Sequence, residues 1–299
     1  MDYMKENAFW SALADELAAD GVLGPLGEPR ALSGGCIHAA ARVDAADGRA
    51  LFVKRGAPSA AEGFTAEAEA LAELAAPGAL RIPRPIAHGL TAGQAYLVTE
   101  YVALTRTIVD AEAFGASLAR LHATHADAFG WHRDNFIGST PQANGWLNEW
   151  ADFWRERRLA PQLRLAEADG HGRMAERGWR LCEQVDALLA DHAPTASLLH
   201  GDLWAGNYGG DEQGRPVLFD PASYYGDRET DLAMTELFGG FPPEFHAGYA
   251  AIWPLAPGYE TRKALYNLYH LLNHAHLFGG GYSGQAQRGI DRLLAEVSA

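Results

Sequence analysis

The chain has little cysteine and little positive charge. Its 299 residues include two cysteines, Cys36 and Cys182, which excludes a disulfide framework and a cysteine-based zinc site. Lys plus Arg amount to 24 against 38 Asp plus Glu, so the net charge is −14 at pH 7. Such an acidic chain is poorly suited to wrapping a phosphate backbone, and we expect no nucleic-acid partner.

Long apolar runs are also missing. No stretch approaches about 18 consecutive apolar residues, which excludes a membrane-spanning helix and argues against a membrane partner. The N-terminal segment Met1–Asn7 is polar and of mixed charge, with no apolar signal-peptide core behind it. The sequence therefore predicts a soluble, cytoplasmic globular protein.

The order of the predicted elements indicates an α+β protein with two lobes. Short strands and two helices precede residue 102, and long helical patterns dominate after it. The predicted helices are 7–20, 59–76, 111–125, 146–168, 174–191 and most of the C-terminal region, and the predicted strands lie within 31–54, 86–90, 95–101, 198–199 and 217–219. We expect residues 1–102 to form a small β-rich N-lobe and residues 103–299 a larger, mainly helical C-lobe.

The strongest chemical signal is the segment His200–Asn207, followed by a strand that ends at Asp220. Phosphoryl transfer to an alcohol requires a carboxylate that accepts the hydroxyl proton, and an amide oxygen and a second carboxylate that hold Mg²⁺. Asp202, Asn207 and Asp220 supply these groups in the order found in kinases. The structural alternative is an Asp that caps a turn and an Asn that satisfies loop backbone.

Lys54 ends the second strand of the predicted hairpin, in a chain with only three lysines. A kinase needs a lysine there to reach the α- and β-phosphates of ATP, paired with a glutamate on the following helix. Glu67 is the favoured partner, and Glu62 and Glu69 compete for the role. Taken alone, a lysine at a strand end is an ordinary solvated surface residue.

A short glycine-containing turn lies upstream of Lys54. Gly34 and Gly35 could let backbone amides approach phosphates, although a simple tight turn explains two glycines equally well. No Walker-type G-x-x-x-x-G-K-[ST] motif occurs. Cys36 beside such a loop could have a lowered pKa, and we hypothesise a redox-sensitive thiol able to cross-link two chains. The alternative is a small buried apolar residue.

The residues after Asp220 differ from those of eukaryotic protein kinases. Asp220 is followed by Pro221 and Ala222 rather than Phe-Gly, and no Ala-Pro-Glu follows. Asp231 lies at the start of the next predicted helix. It could brace the catalytic loop from a buried position, or it could be an ordinary helix N-cap.

Several histidines recur at helical spacing. They form the groups His122/His125 and His270/His274/His276. Such spacing could bind a metal on one helix face, and packing or solvated roles are the alternative.

Several longer stretches give the chain a specific resemblance. They are His200–Asn207, Phe219–Glu229, Asp231–Phe241, Tyr266–His274, Phe278–Tyr282 and Gly138–Asn144. Through them the chain resembles the fructosamine-3-kinase (ketosamine-3-kinase) family, a branch of the protein-kinase-like fold. The resemblance implies transfer of phosphate from ATP to the 3-hydroxyl of a ketose attached to an amine, which promotes deglycation. It also implies Mg²⁺ as cofactor and a small-molecule or protein-linked ketosamine as partner, with the protein a monomer or a homodimer.

The same resemblance assigns roles to individual positions. The segment Glu100, Tyr101 and Val102 would be the hinge whose backbone meets adenine. Trp204 would stack on the apolar face of the sugar, or it would pack within the protein instead.

Within the Gly-Asp-Arg-Glu run, Asp227 and Arg228 would lie at the substrate. Aminoglycoside and choline kinases lack this run. A small-molecule kinase of that type is the alternative within the same class, and the intact run argues against it. A catalytically inactive kinase fold that binds nucleotide or a partner is the alternative outside it.

Overall fold

The structure is a computed structural model that describes residues 2–19, 25–32 and 38–298. By their packing these residues divide into two compact units. The first comprises Met1–Val109 with Gly209–Phe219, and the second comprises Asp110–Tyr208 with Asp220–Ala299. The predicted lobes, 1–102 and 103–299, stay a prediction. A single boundary along the chain cannot describe the two units, because residues 209–219 belong to the first unit.

An antiparallel five-stranded sheet forms the centre of the first unit, with strand order β1-β2-β3-β5-β4. Its elements are α1 (Asp2–Ala19), β1 (Arg30–Leu32), β2 (Ala39–Asp44), β3 (Ala50–Gly56), α2 (Ala61–Ala75), β4 (Pro85–Thr91) and β5 (Gln94–Glu100). The predicted hairpin and the two later strands are confirmed to within one or two residues.

Strand alternation gives this sheet two buried faces. Successive side chains of a strand point to opposite sides, so Val98 packs with α1 residues whereas Leu97 packs with α2. The α1 residues Phe9, Leu13 and Leu17 are buried together, as their spacing predicted.

Helices dominate the second unit. They are α3 (Ala111–His122), α4 (Trp150–Phe153), α5 (Ala160–Ala168), α6 (Gly172–Cys182), α7 (Val185–Leu188), α8 (Glu229–Leu237), α9 (Pro243–Ile252), α10 (Tyr259–Phe278) and α11 (Tyr282–Glu296). Three-residue strands accompany them: β6 (Asn135–Ile137), β7 (Thr140–Gln142), β8 (Ser197–Leu199) and β11 (Tyr224–Gly226). The remaining pair, β9 (Tyr208–Gly210) and β10 (Pro216–Leu218), belongs to the first unit apart from Tyr208. The predicted combination of a sheet region followed by a helical region is confirmed.

Two helix predictions need correction. The predicted helix 146–168 begins only at Trp150, and its middle, Trp154–Leu159, is a π-helix. The predicted helix 174–191 is interrupted after Cys182. The β6–β7 hairpin was not predicted, because three-residue strands are too short to show a period.

One short strand pair brings two chemically important segments together. β8 pairs antiparallel with β11, and Leu199 lies opposite Tyr224. Because the strands are antiparallel, His200 leaves this small sheet at the end where Tyr224 begins, beside Ala222, whereas Asp227 leaves it at the opposite end. Among the described residues, no helix is both long enough and apolar enough to cross a membrane.

Candidate active site

The loop that follows β8 places Asp202 and Asn207 side by side. The Asn207 side-chain amide nitrogen donates to the Asp202 carboxylate oxygen Oδ2 at 2.9 Å and to the Asp202 backbone carbonyl at 2.9 Å. It also lies 3.4 Å from the backbone carbonyl of Asp220. Because the nitrogen makes these bonds, the Asn207 amide oxygen is the atom left to ligate a cation. Carboxylate and amide oxygens suit Mg²⁺, so the donor set fits this ion.

A glycine is required immediately before Asp202. Gly201 has a φ of +83°, and a Cβ atom there would lie 2.1 Å from the backbone oxygen of Ala222. This close approach lets the Ala222 amide donate to the His200 carbonyl at 2.9 Å. The loop His200–Asn207 and the segment after Asp220 therefore contact each other through backbone.

Asp202 is partly buried, and its surroundings are acidic. The pKa of its carboxyl group is raised to about 7, chiefly by burial and also by the negative charges of Asp220 and Asp231, against the hydrogen bond from Asn207. Such perturbed carboxyl groups are enriched at functional sites.

Asp220 has a strained backbone. Its φ of +55° lies in the left-handed region, which only one other non-glycine residue, Ala92, adopts among the described residues. Strain of this kind persists where the surrounding structure enforces it, and it is frequent at functional sites.

Asp231 holds the start of the loop His200–Asn207 through hydrogen bonds to its backbone. Its carboxylate accepts the backbone amides of His200 at 2.7 Å and Gly201 at 2.9 Å, and it lies 3.2 Å from Nε2 of His122. Burial opposes its charge, but the hydrogen bond and charge of His122, together with the loop amide, hold the pKa of Asp231 below its usual value. The bracing alternative is thus confirmed. The N-cap alternative was wrong, since α8 begins two residues earlier, at Glu229.

A network of buried amides supports the segment after Asp220. The Gln142 side chain donates to the Ala222 carbonyl at 3.0 Å, and the Asn135 side chain donates to the Ser223 carbonyl at 2.8 Å. Gln142 also donates to Asn135 at 2.8 Å. The β6–β7 hairpin therefore fixes the backbone that follows the proposed metal carboxylate. Sequence reasoning missed Asn135 and Gln142, although Gln142 lay in a stretch that carried the resemblance.

Arg158 completes this network from the π-helix. Its guanidinium donates to the Asn144 side-chain oxygen at 2.8 Å and lies 3.9 Å from the centre of the Tyr224 ring. Asn144 in turn donates to Asn135 at 2.8 Å. The positive charge of the fully buried Arg158 is thus stabilised by polar groups and by an aromatic face. π-Helical turns often accompany such functional regions.

We expect the Gln142→Leu variant to be destabilised by about 2–6 kcal/mol. The Ala222 carbonyl and the Tyr269 hydroxyl lose their Gln142 partner, and each such buried group costs about 1–3 kcal/mol. The Asn135 oxygen keeps the amide of Asn144. Urea unfolding measures the loss. Ser139→Ala, an exposed position in the same hairpin, is the control, and equal stability of both variants would contradict the network.

Asp227 is buried rather than exposed toward a ligand. Its carboxylate lies 2.6 Å from Nε2 of His192, accepts the Tyr266 hydroxyl at 2.6 Å and accepts the Glu229 amide at 3.0 Å. Burial acts to raise the pKa of Asp227. The hydrogen bonds and the charge of His192 outweigh this effect and hold the pKa of Asp227 below its usual value.

Arg228 is also bonded within the protein. It donates to the backbone carbonyls of Trp253 at 3.2 Å and Pro254 at 2.6 Å, and its guanidinium lies 4.2 Å from the Trp253 ring centre. A substrate contact of Asp227 or Arg228 stays a prediction, and such a contact would have to compete with these bonds.

One group of residues has metal-ligand spacing among the described ranges. It consists of His192, Asp227 and Glu229. Glu229, however, forms a buried ion pair with Arg262 at 2.6 Å, and Asp227 is bonded as described above. These bonds account for the grouping as an internal polar network.

The helical histidines of α10 have packing roles. His270 is buried, and its Nδ1 has no hydrogen-bonding partner among the described residues. Burial chiefly lowers the pKa of His270 to about 3. His274 lies 2.9 Å from the His270 carbonyl through its Nδ1, and His276 lies 2.7 Å from Asp169.

Because the pKa of His270 is lowered by burial, we expect the free energy of unfolding to decrease on acidification. Its pKa is about 6.5 in the unfolded chain and about 3 in the folded one, so only the unfolded chain takes up this proton in between. Above pH 6.5, His270 does not lower the unfolding free energy. Between pH 6.5 and pH 3, the unfolding free energy decreases by up to about 1.4 kcal/mol for each pH unit of acidification.

Urea unfolding at pH 7.5, 6 and 4.5 measures this slope. His270→Leu should show a smaller slope than the unsubstituted protein, and His276→Gln, at a less buried histidine, is the control. An unchanged slope in His270→Leu would contradict the assignment.

In the first unit, Lys54 and Glu67 form an ion pair. The Lys54 ammonium lies 2.7 Å from Oε1 of Glu67, and both side chains are largely buried, at 13% and 15% exposure. β3 presents the lysine and α2 presents the glutamate. The alternative for Lys54, an ordinary solvated lysine at a strand end, therefore does not apply.

The predicted hinge begins at Glu100, the last residue of β5. The Glu100 carboxylate binds Arg81 at 2.6 Å and accepts the Arg84 amide at 2.7 Å. Burial opposes the charge of Glu100, yet these bonds hold its pKa below the usual value. The backbone amide of Glu100 donates to the Arg84 carbonyl, and that of Tyr101 donates to Ala50.

The predicted phosphate loop lies outside the described residues. This applies to Gly34, Gly35 and Cys36, whose predicted roles stay predictions. The described thiol, Cys182, is buried, and burial raises its pKa to about 11. Cys182 is consequently a poor nucleophile.

Trp204 lies in the loop His200–Asn207 and is 36% exposed. Its ring meets the edge of Phe238 at a centroid distance of 6.4 Å. Both predicted possibilities, sugar stacking and packing, therefore remain open to this side chain.

Comparisons with known proteins agree with this architecture. A probable ketoamine kinase of Synechocystis sp. is 46% identical over 289 residues, which cover 95% of this chain and 97% of the relative. The chloroplastic protein-ribulosamine 3-kinase of Oryza sativa subsp. japonica is 37% identical, across 90% of this chain and 79% of its own length.

Solved structures give the same result. A Haemophilus somnus protein described as a fructosamine-3-kinase superposes with a TM-score of 0.88 at 28% identity, covering 97% of this chain and 99% of its own. Aminoglycoside phosphotransferase APH(4)-Ia superposes with a TM-score of 0.58 at 17% identity, covering 96% and 99%, which shows a shared fold. The predicted α+β, protein-kinase-like fold is confirmed. The model of the fructosamine kinase family matches residues 12–296, and this chain belongs to that family.

Proposed function

We propose that this protein is an ATP-dependent kinase that phosphorylates the 3-hydroxyl group of ketosamines and thereby promotes their deglycation. One observation carries the proposal: the Asp202 carboxylate is bonded to the amide of Asn207 at 2.9 Å, beside the backbone of Asp220. Family membership and the names of the relatives, a ketoamine kinase and a ribulosamine kinase, point to the substrate class.

Asp202 is the proposed general base. It takes the proton of the substrate hydroxyl as the oxygen attacks the γ-phosphorus, and the bond from that phosphorus to the β-phosphate oxygen breaks to release ADP. A carboxyl group with a raised pKa is a stronger base than an ordinary aspartate, which suits this task near neutral pH. Asn207 and Asp220 would hold Mg²⁺, which neutralises charge on the nucleotide phosphates when bound.

In the first unit, Lys54 is the proposed ligand of the α- and β-phosphates, and Glu67 orients it. The backbone of Glu100, Tyr101 and Val102 is the proposed adenine contact. The amides of the first two already donate within the protein, so the amide of Val102 is our choice for the adenine donor. Gly34 and Gly35 are proposed to approach the phosphates.

The test is ADP release with Mg-ATP in the presence of ribulosyl-lysine, fructosyl-lysine, kanamycin or choline. We expect turnover on a ketosamine and its loss in Asp202→Asn. Turnover confined to kanamycin or choline would support the other small-molecule kinase class. ATP binding without turnover on any of the four would support the inactive binding module.

A further inference from the structure

An aromatic surface adjoins the catalytic loop within the second unit. It consists of five rings, Trp204, Phe238, His274, Phe278 and Tyr282. Phe238 occupies the centre, with ring centroids 6.4 Å from Trp204, 4.9 Å from His274 and 6.3 Å from Tyr282. His274 continues the contact to Phe278 at 5.4 Å and to Tyr282 at 5.1 Å.

This aromatic surface is unusually open to solvent. Phe278 is 56% exposed, Phe238 is 37% exposed and Trp204 is 36% exposed. Single exposed apolar residues are ordinary, but a contiguous apolar patch on a protein surface commonly marks a binding site. The rings come from the catalytic loop, the end of α8, the end of α10 and the start of α11, so three separate helices converge to build the patch.

None of the five rings carries a charge at pH 7. Burial lowers the pKa of His274, so its ring is neutral at pH 7. Aromatic faces attract organic cations and pack well against hydrocarbon. A bare sugar, with a hydroxyl on almost every carbon, is a poor match for most of this area.

We propose that the aromatic surface binds the amine end of the ketosamine, namely its protonated secondary amine and the hydrocarbon stem of the attached side chain. The inference rests on the proposed function and extends it. Trp204 belongs to the turn that holds Asp202, since its amide lies 3.1 Å from the Asp202 carbonyl. A substrate whose hydroxyl reaches Asp202 therefore lies beside the turn that carries Trp204, the first ring of the surface. A lysine-like stem is the matching ligand chemistry.

The test compares ribulose adducts of methylamine, butylamine and hexylamine, which share the sugar and the ammonium group. In the unsubstituted protein KM should fall about two- to fourfold for each added methylene that is buried, reaching tenfold or more for the hexylamine adduct. In Phe278→Ala and Phe238→Ala this dependence on stem length should largely disappear. Ile252→Ala, at a position that is 51% exposed at the end of α9, should retain it.

Calorimetric binding of the same adducts separates this inference from the proposed function. Tighter binding of longer stems that is lost in Phe278→Ala supports the surface even if no adduct is phosphorylated. Equal KM and equal binding for all three stems would overturn the inference while leaving ketosamine phosphorylation standing. An equal loss in Ile252→Ala would overturn it as well.

Discussion

Replacing Asp202 by asparagine is expected to lower the rate of ketosamine phosphorylation about 10²–10⁴-fold, the range that a general base contributes. An amide cannot accept the hydroxyl proton. It can still accept the hydrogen bond that Asn207 donates to Asp202 at 2.9 Å, so the loop geometry should survive. ADP release measures the rate, and calorimetric titration with ATP measures whether nucleotide binding persists.

The matched control is Asp152→Asn. Asp152 is an aspartate of the same unit whose side chain is 45% exposed and pairs with Arg155 on the surface. Exposed pairs of this kind contribute little, so turnover should stay near that of the unsubstituted protein. If Asp202→Asn retained a rate within tenfold of the original, Asp202 would not be the base.

Replacing Asp231 by alanine is expected to destabilise the protein by about 3–5 kcal/mol. The buried amides of His200 and Gly201 would lose their acceptor, and the His122 ring would lose its carboxylate partner. Removing one partner from a buried polar or ionic group costs this much because the remaining groups stay desolvated. Urea unfolding measures the change.

Asp231→Asn separates the charge from the hydrogen bonds. It keeps one acceptor oxygen for the loop amides, so its stability should lie between those of Asp231→Ala and the unsubstituted protein. Hydrogen exchange at the His200 and Gly201 amides should accelerate in Asp231→Ala. A destabilisation below about 1 kcal/mol with unchanged exchange would show that the loop is held by other contacts.

Local sequence rules were sufficient for the order of most elements and for selecting Asp202 and Asn207, which the structure places side by side. A short strand after the turn at Thr91–Gly93 was predicted where β5 lies, and the spacing of Phe9, Leu13 and Leu17 predicted the buried face of α1. The five-residue interval from Asp202 to Asn207 is short enough for a single turn to bring the two side chains together. These features depend on residues close in sequence, where periodicity and motif spacing carry the information.

The buried side chains that hold the site in place were harder to predict from the sequence. Two possible roles were predicted for Asp231, and only the structure shows it accepting amides 30 and 31 residues away. Asp227 and Arg228 were expected at the substrate, whereas their side chains are bonded within the protein. Nothing in a residue type indicates whether a polar side chain is bonded within the protein or left for a ligand.

The sequence by itself determined the fold class and the family, and it selected Asp202, Asn207 and Asp220 as candidates for phosphoryl transfer. The tertiary structure alone decided that Gln142 and Asn135 hold the backbone after Asp220, across 80 and 88 residues of sequence. It alone assembled Trp204, Phe238 and Phe278 into one surface. The physical reason is that such contacts depend on how separate elements pack, and local propensities and spacing do not encode the distance between residues far apart in the chain.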